Sequence, residues 1–276
     1  MNKLKELRFY LADRLSSLVG KGQALVPPQK LTDLVGGGDF ASVGNEFLRY
    51  FVELGGLQPH HRVLDVGCGC GRMAVPLMKH LSAAGAYEGF DIMGVCIDWS
   101  RRHIAAQDPR FHFQKADVYN SYYNPGGRYQ SAEYRFPFPD AHFDFVFLTS
   151  VFTHMLSADM QHYLAEVARV LKPEGRCLIS YFLLTPEAQA LMDNNQSAFR
   201  LAIARPDCMI LREDKPEQTV GYEESFVREC CRKNGLEIAE PIHYGSWAGR
   251  KKFVSFQDLV LAVKKTSGTA GGGAGT

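Results

Sequence analysis

The chain has 276 residues, of which 46% are apolar, 22% charged and 12% aromatic, values that exclude a collagen-like, coiled-coil or disordered protein. At about 150 residues per domain this length leaves one large domain or one domain with additions, and it buries enough surface to fold without disulfides or a structural metal. Lys plus Arg is 31 against 30 for Asp plus Glu, a net charge of +1, so no whole-chain bias points to nucleic acid or to an anionic surface.

Near the start, Leu4, Leu7, Leu11, Leu15 and Leu18 share one helical face. The expectation is a helix packed on the domain, with a membrane-surface or dimer helix as the alternative. Glu6, Arg8, Asp13 and Arg14 interrupt the apolar run, so a signal peptide is not expected, and no stretch is long and apolar enough for a transmembrane helix. The seven cysteines include no CxxC pair. Zinc is therefore not expected, and the spread suits reduced thiols in a cytoplasmic protein.

Breaks fall at Gly20 to Pro28 and at Gly36-Gly37-Gly38, and the pattern predicts a helix over 44–57 that Gly55-Gly56 ends. From His61 the chain alternates. Strands are predicted at 62–66, 86–91, 111–116, 143–149 and 176–182. Helices are predicted at 72–81, with Pro76 in its first turns, at 95–107 and at 158–171, the last stopping at Lys172-Pro173-Glu174-Gly175. Such alternation predicts an α/β fold, a doubly wound, mostly parallel sheet with helices on both faces. Residues 183–220 look like an insertion over the sheet edge. A helix at 223–234 with Gly235 as its stop and strands at 236–244 and 253–263 complete the chain, and 266–276 reads as a disordered tail of small residues.

The segment Val63 to Gly71, VLDVGCGCG, runs an apolar strand into Gly67-x-Gly69-x-Gly71 with a helix just beyond. Glycines there let a ligand approach the backbone, and a helix N-terminus offers unpaired N–H groups. A dinucleotide fingerprint needs a glycine where Arg72 stands, which weighs against a nicotinamide- or flavin-dependent oxidoreductase.

VLDVGCGCGR resembles motif I of the class I (Rossmann-like) S-adenosylmethionine-dependent methyltransferases. YEGFD ending at Asp91, QKADV with Asp117-Val118, FPFPDAHFDFVFLTSVFTH and LKPEGRCLIS resemble the family's following elements in order. The resemblance implies a seven-stranded sheet with an N-terminal helical cap (1–58), a cofactor-binding domain (59–265) and an insertion after the fifth strand. It implies S-adenosylmethionine as cofactor. Asp65, Gly67 and Gly69 would lie at its methionine end, Asp91 at the ribose, Asp117 and Val118 at the adenine, and Thr149 and Ser150 beside the sulfonium, with Cys68, Gly71 and Ile92 also among the cofactor-binding residues. No metal is implied.

On the acceptor side, His154 just past the fourth strand is the candidate general base, with pocket lining as the alternative role. His142 is expected to be exposed. Tyr119, Tyr122, Tyr123, Tyr129 and Tyr134 crowd one segment and could wall a pocket, and Phe40 could close over the cofactor. In GSWAGRKKF, Trp247 and Arg250 are candidate acceptor contacts. No Asn/Asp-Pro-Pro-Tyr/Phe follows the fourth strand and no Pro-Cys nucleophile is present, which disfavours DNA. A small-molecule, lipid or glycan acceptor is expected. A protein or RNA acceptor, or a non-catalytic cofactor-binding protein, is the alternative.

Overall fold

The computed structural model of the protein describes residues 25–266. The leucine-faced segment and residues 267–276 of the tail lie outside the described residues.

Among the described residues, two helices, α1 (Gln29–Leu34) and α2 (Phe40–Glu53), precede the sheet. The sequence places the start of α2 at residue 44, but Asp39 caps it earlier by accepting the Ser42 N–H at 2.6 Å. The alternating part then runs β1 (Arg62–Val66), α3 (Ala74–His80), β2 (Ala86–Asp91), α4 (Gly94–Ser100), β3 (Phe111–Lys115), β4 (Phe143–Leu148), α5 (Ser157–Val170) and β5 (Leu171–Tyr181). α4 continues into a π-helical turn over Arg101–Ala105. Pro76 sits in the first turn of α3, where its missing N–H breaks no helical bond. Lys172 to Gly175, expected to separate helix from strand, lie inside β5 instead. Leu171 already pairs with Phe143, and an irregularity in register absorbs the turn residues.

Five strands are parallel in the order β3-β2-β1-β4-β5. β11 (Asp258–Lys264) then adds antiparallel to β5, with β10 (Leu236–Ile238) outside it. This seven-stranded, mostly parallel sheet is the α/β architecture that the alternation implies. Both faces are covered, so the inner strands are apolar throughout. On β4, Phe145 and Phe147 face the helices α2, α3 and α4. Val146 and Leu148 face α5 and α7 (Glu224–Lys233). Phe51 of α2 stacks on Phe147 at 4.2 Å and is fully buried, worth about 1.5–3 kcal/mol of apolar transfer.

The strand expected at 236–244 stops at Ile238. Pro241 has no N–H to donate, and pairing resumes only as a bridge between His243 and Leu259. The segment 183–220 with the residues just after it forms a second, four-stranded sheet of β6 (Leu183–Leu184), β9 (Val220–Glu223), β8 (Cys208–Ile210) and β7 (Ile203–Arg205), joined by α6 (Pro186–Asp193). It packs beyond the C-terminal end of β4, not over the sheet edge. Tyr222 Oη donates to the Phe152 carbonyl at 3.0 Å, and Ser157 Oγ donates to the Pro206 carbonyl at 2.8 Å. All seven cysteines are buried and unbridged. Among the described residues no helix is long and apolar enough to cross a membrane.

Asp258 at the start of β11 joins the two sheets. It is fully buried and accepts the N–H groups of Leu183 and Gly245 and the Trp247 indole N–H, at 2.6, 2.6 and 2.7 Å. The variant Asp258→Ala leaves three buried donors without an acceptor, each costing about 1–3 kcal/mol. Urea denaturation is expected to show a loss of about 3 kcal/mol or more; a loss below about 1 kcal/mol would contradict this role.

Candidate active site

From β1 the chain crosses to β2 on one side and later returns to β4 on the other. A cleft opens where strand order reverses, beyond the C-terminal ends of the strands, the usual ligand position in such sheets. Its volume is about 430 Å³. The floor is Asp65 to Gly69, one wall is Asp91 to Met93 with Val118 to Asn120, and the other is Thr149 to Val151 with His154 and Met155. Val35 to Gly38, Val43 and Phe47 from the N-terminal helices and Ser255 to Gln257 before β11 form the rim.

The glycine turn works through close approach, not through free amides. The N–H groups of Gly67 and Cys68 both reach the Phe90 carbonyl, at 2.9 and 3.1 Å, and Gly69 N–H donates to Asp91 Oδ2 at 2.8 Å. The helix after the turn, α3, begins only at Ala74, two residues later than expected, with its capping residue Met73 on the cleft lining. Gly67 and Gly69 have φ of 78° and 51°. A Cβ on Gly67 would stand 2.4 Å from Val151, and one on Gly69 2.7 Å from Val35, both at the cleft wall. Cys68 lines the cleft beside them, its thiol pushed up by burial. Gly71 does not face the cleft: its Cβ would meet Ile104 at 2.5 Å, so it serves helix packing.

Asp65 is 1% exposed. Tyr87 Oη donates to its Oδ2 at 2.7 Å, and its Oδ1 has no partner although the residue lines the cleft. Burial pushes its carboxyl up to about 8, the Asp91 charge adds to the rise, and the Tyr87 hydroxyl opposes it. An orphaned buried carboxylate oxygen facing a cleft is a seat for a cation that brings its own hydrogens. Asp91 accepts Met93 N–H on Oδ1 at 2.7 Å and Gly69 N–H on Oδ2, and each oxygen keeps acceptor capacity toward the cleft. Burial raises its carboxyl, and those backbone donors oppose the rise. Ile92 lies next to it on the same wall.

Asp117 is placed differently from the expectation. Its carboxylate is about half exposed, lies 3.8 Å from Arg128 Nε and takes no part in the cleft wall. Its carbonyl accepts the N–H groups of Arg128 and Tyr129, which folds the tyrosine-rich segment back. Val118, Tyr119 and Asn120 face the cleft in its stead. Asn120 Oδ1 accepts the N–H groups of Tyr122 and Tyr123 at 3.0 and 2.8 Å, which holds Tyr123 at the wall. Tyr122 and Tyr129 are exposed, and Tyr134 packs against Phe136.

At the end of β4, Thr149 and Ser150 both line the cleft. Ser150 has φ of 60° and is held there by its N–H to Ser180 Oγ at 2.7 Å and by Gln257 Nε2 donating to its Oγ at 3.0 Å. His154 Nδ1 lies 3.3 Å from the Glu217 carbonyl, and Tyr123 meets its ring edge-on at 5.8 Å. A carbonyl only accepts, so Nδ1 carries the hydrogen and Nε2 keeps its lone pair. Burial lowers the ring's pKa, which favours this neutral form. His142 is half-buried at the opposite end of β4, remote from the cleft.

Three expected contacts fall elsewhere. Phe40 is buried against Trp99 at 6.5 Å because it opens α2, and Phe47, two turns on, takes the rim position. Trp247 is fully buried between Phe182 and Phe199, since Asp258 holds its indole. Arg250 turns inward to Glu187 at 2.7 Å and Thr185 at 3.0 Å. The Gly36–Gly38 rim went unassigned from sequence, although three glycines with φ of 93°, 61° and 73° are its signal. Gly37 also accepts Arg72 Nη2 at 2.7 Å, tying the rim to the glycine turn.

A doubly wound sheet with a glycine turn and two buried acids at its switch point is a Rossmann-like ligand-binding domain. Residues 63–175 match the family model described as "Methyltransferase domain". The chain is 33% identical over 135 residues to 27-O-demethylrifamycin SV methyltransferase of Amycolatopsis mediterranei, covering 49% of this chain and 43% of that one. It is 29% identical over 156 residues to a ubiquinone/menaquinone biosynthesis C-methyltransferase of Pseudomonas fluorescens, covering 56% and 54%. The chain thus spans about half the length of these curated relatives. Among solved structures, a 1,6-didemethyltoxoflavin-N1-methyltransferase of Burkholderia thailandensis with bound S-adenosylhomocysteine has TM-score 0.52 at 16% identity, over 83% of this chain and 80% of that one. Magnesium protoporphyrin IX methyltransferase of Synechocystis, also with S-adenosylhomocysteine, has TM-score 0.51 at 16% identity, over 92% and 94%. Residues 63–175 thus form a methyltransferase domain, and these likenesses support a class I S-adenosylmethionine-dependent methyltransferase. The residues present fit that cofactor: the orphaned Asp65 Oδ1 suits an ammonium, and the side-chain-free glycine cradle suits close packing of its chain.

Were the ligand ammonium to sit on Asp65 Oδ1, cofactor binding would depend on pH. Its folded-state pKa lies above its unfolded value, so without ligand it is protonated up to about pH 8. An ammonium against Oδ1 favours the ionised form, so binding at neutral pH releases a proton and tightens as pH rises toward 8. Calorimetry of S-adenosylhomocysteine in buffers of different ionisation heat is expected to show this release in the parent protein and none in Asp65→Asn. Equal heats for both proteins would contradict the assignment.

Proposed function

We propose that this chain transfers a methyl group to a hydroxyl of an uncharged, largely apolar small molecule or lipid, by direct in-line displacement, in the cytoplasm. The observation that carries this reading is the presence, in one cleft, of the orphaned Asp65 oxygen and of His154 with its Nδ1 against the Glu217 carbonyl, a contact that leaves Nε2 as the acceptor in the neutral ring. When bound, the cofactor supplies an activated methyl on a sulfonium. Asp65, Gly67 and Gly69 would hold its methionine end and Asp91 its ribose, with Val118 at the adenine and Ser150 near the sulfonium.

Aligning two reactants accounts for about 7–11 kcal/mol of a barrier, and a general base adds a factor of about 10²–10⁴. Positioning is therefore the larger contribution, and here it comes from the walls. Val43, Phe47, Tyr123, Val151 and Met155 exclude water and offer an apolar surface to the acceptor. Arg72 is the one Lys or Arg of the lining, and its guanidinium is engaged by the Gly37 carbonyl and the Phe40 ring. An acceptor carboxylate or phosphate thus finds no available cation near the transfer point among the described residues. His154 Nε2 would take the hydroxyl proton, with the Glu217 carbonyl fixing its tautomer. The names of the relatives, an O-methyltransferase of a rifamycin and a C-methyltransferase of quinone biosynthesis, favour small or lipid-soluble acceptors over protein or RNA.

Labelled methyl transfer from S-adenosylmethionine to extracted small molecules and lipids tests the reading. The variant His154→Gln is expected to lower kcat by about 10²-fold or more with the donor KM unchanged. The parent's rate should fall on acidification through a pKa below 6.5, the direction that burial gives this ring. An unchanged kcat in the variant would remove His154 as the base, and label appearing only in protein or RNA would overturn the acceptor class.

A further inference from the structure

The segment between β10 and β11 carries an apolar projection at the mouth of the cleft. Its base is pinned: Ser246 N–H donates to the Ser255 carbonyl at 3.1 Å, Trp247 N–H to the Phe256 carbonyl at 3.0 Å, and Tyr50 Oη to the Val254 carbonyl. Trp247 is fully buried beneath. The rest points outward. Phe253 is 56% exposed, Val254 39% and Phe256 50%. Lys251 and Lys252 precede them, both exposed, and neither forms an ion pair among the described residues. No Asp or Glu occurs from Gly249 to Gln257.

Isolated exposed apolar residues are ordinary, but consecutive ones held out by a fixed backbone mark an interaction surface. Two ammonium groups beside two phenyl rings match the bilayer interface, where rings enter the acyl boundary and lysines meet anionic headgroups. Phe256, with Ser255 and Gln257, is also part of the cleft rim, so a surface seated on this projection adjoins the entrance of the cavity.

We propose that the 251–256 projection docks the protein on an anionic lipid bilayer, and that the acceptor enters the cleft from the lipid phase. The membrane contact stands on the projection alone. Only the statement about the acceptor rests on the methyl-transfer reading. Near-zero net charge does not oppose the contact, because headgroup attraction is local and fades within a Debye length.

Co-sedimentation of the full chain with vesicles of phosphatidylcholine plus phosphatidylglycerol, against vesicles of phosphatidylcholine alone, tests this. The parent is expected to bind the anionic vesicles more tightly and to weaken as salt is raised. Lys251→Ser combined with Lys252→Ser is expected to weaken binding roughly 25-fold, about fivefold per lysine. Phe253→Ser is expected to weaken it about tenfold or more. These residues lie outside the cleft lining, so thermal stabilisation by S-adenosylhomocysteine should be retained in each variant and reports that it is folded. Stabilisation without vesicle binding, or vesicle binding unchanged in the variants, overturns this inference and leaves the methyl-transfer reading intact. Vesicle binding without stabilisation overturns that reading and keeps the membrane contact. Self-association in sedimentation velocity that Phe253→Ser abolishes would assign the projection to a second copy of the chain and overturn the proposal.

Discussion

A single carboxylate at the end of β2 holds the floor of the cleft together. Asp91 takes the Gly69 N–H on one oxygen and the Met93 N–H on the other, while the Phe90 carbonyl just before it takes the amides of Gly67 and Cys68. These bonds tie the glycine turn to the neighbouring strand, while Val151 and Val35 approach Gly67 and Gly69 more closely than a Cβ would allow. Asp65 is thereby sealed beneath the turn, with Tyr87 on one oxygen and the cleft on the other. Charge in such a place is costly unless it is paired, so burial favours the protonated carboxyl of Asp65 and a cationic ligand would favour its ionised form.

The rest of the molecule closes the cleft from outside. Gly37 of the N-terminal rim is tied to Arg72. Glu217 of the inserted segment accepts the Ser121 N–H at 3.0 Å through its side chain and faces His154 with its carbonyl, so one short turn orders both the tyrosine-rich wall and His154. Gln257 connects Ser150 with Ser180 at the far wall. Three segments distant in sequence thus converge on the cavity, the first two through main-chain carbonyls or amides and the third through side-chain hydroxyls.

What the sequence made legible was local. Strand, glycine turn and the acid ending the next strand follow one another within thirty residues, and their roles depend on backbone geometry that those residue types impose. The parallel strands were legible because burial on both faces requires apolar runs. Phe40 was misplaced because its direction depends on where Asp39 starts α2. Trp247 and Arg250 were misplaced because Asp258, eleven and eight residues later, draws both inward, and no short-range pattern announces that. Asp117 was misplaced because its own carbonyl anchors the return of the tyrosine segment, turning the carboxylate toward Arg128. The turn at Lys172 to Gly175 looked like a break, yet pairing of Leu171 with Phe143 outweighed the turn chemistry.

Buried Asp65 and Asp91 together would define the cofactor seat. A crystal structure of the complex with S-adenosylhomocysteine tests it most directly. The account predicts the ligand ammonium within hydrogen-bonding distance of Asp65 Oδ1 and the ribose hydroxyls on Asp91, with the bonds from Gly69 and Met93 retained. A ligand seated elsewhere, or one that leaves Asp65 Oδ1 without a partner, would contradict it.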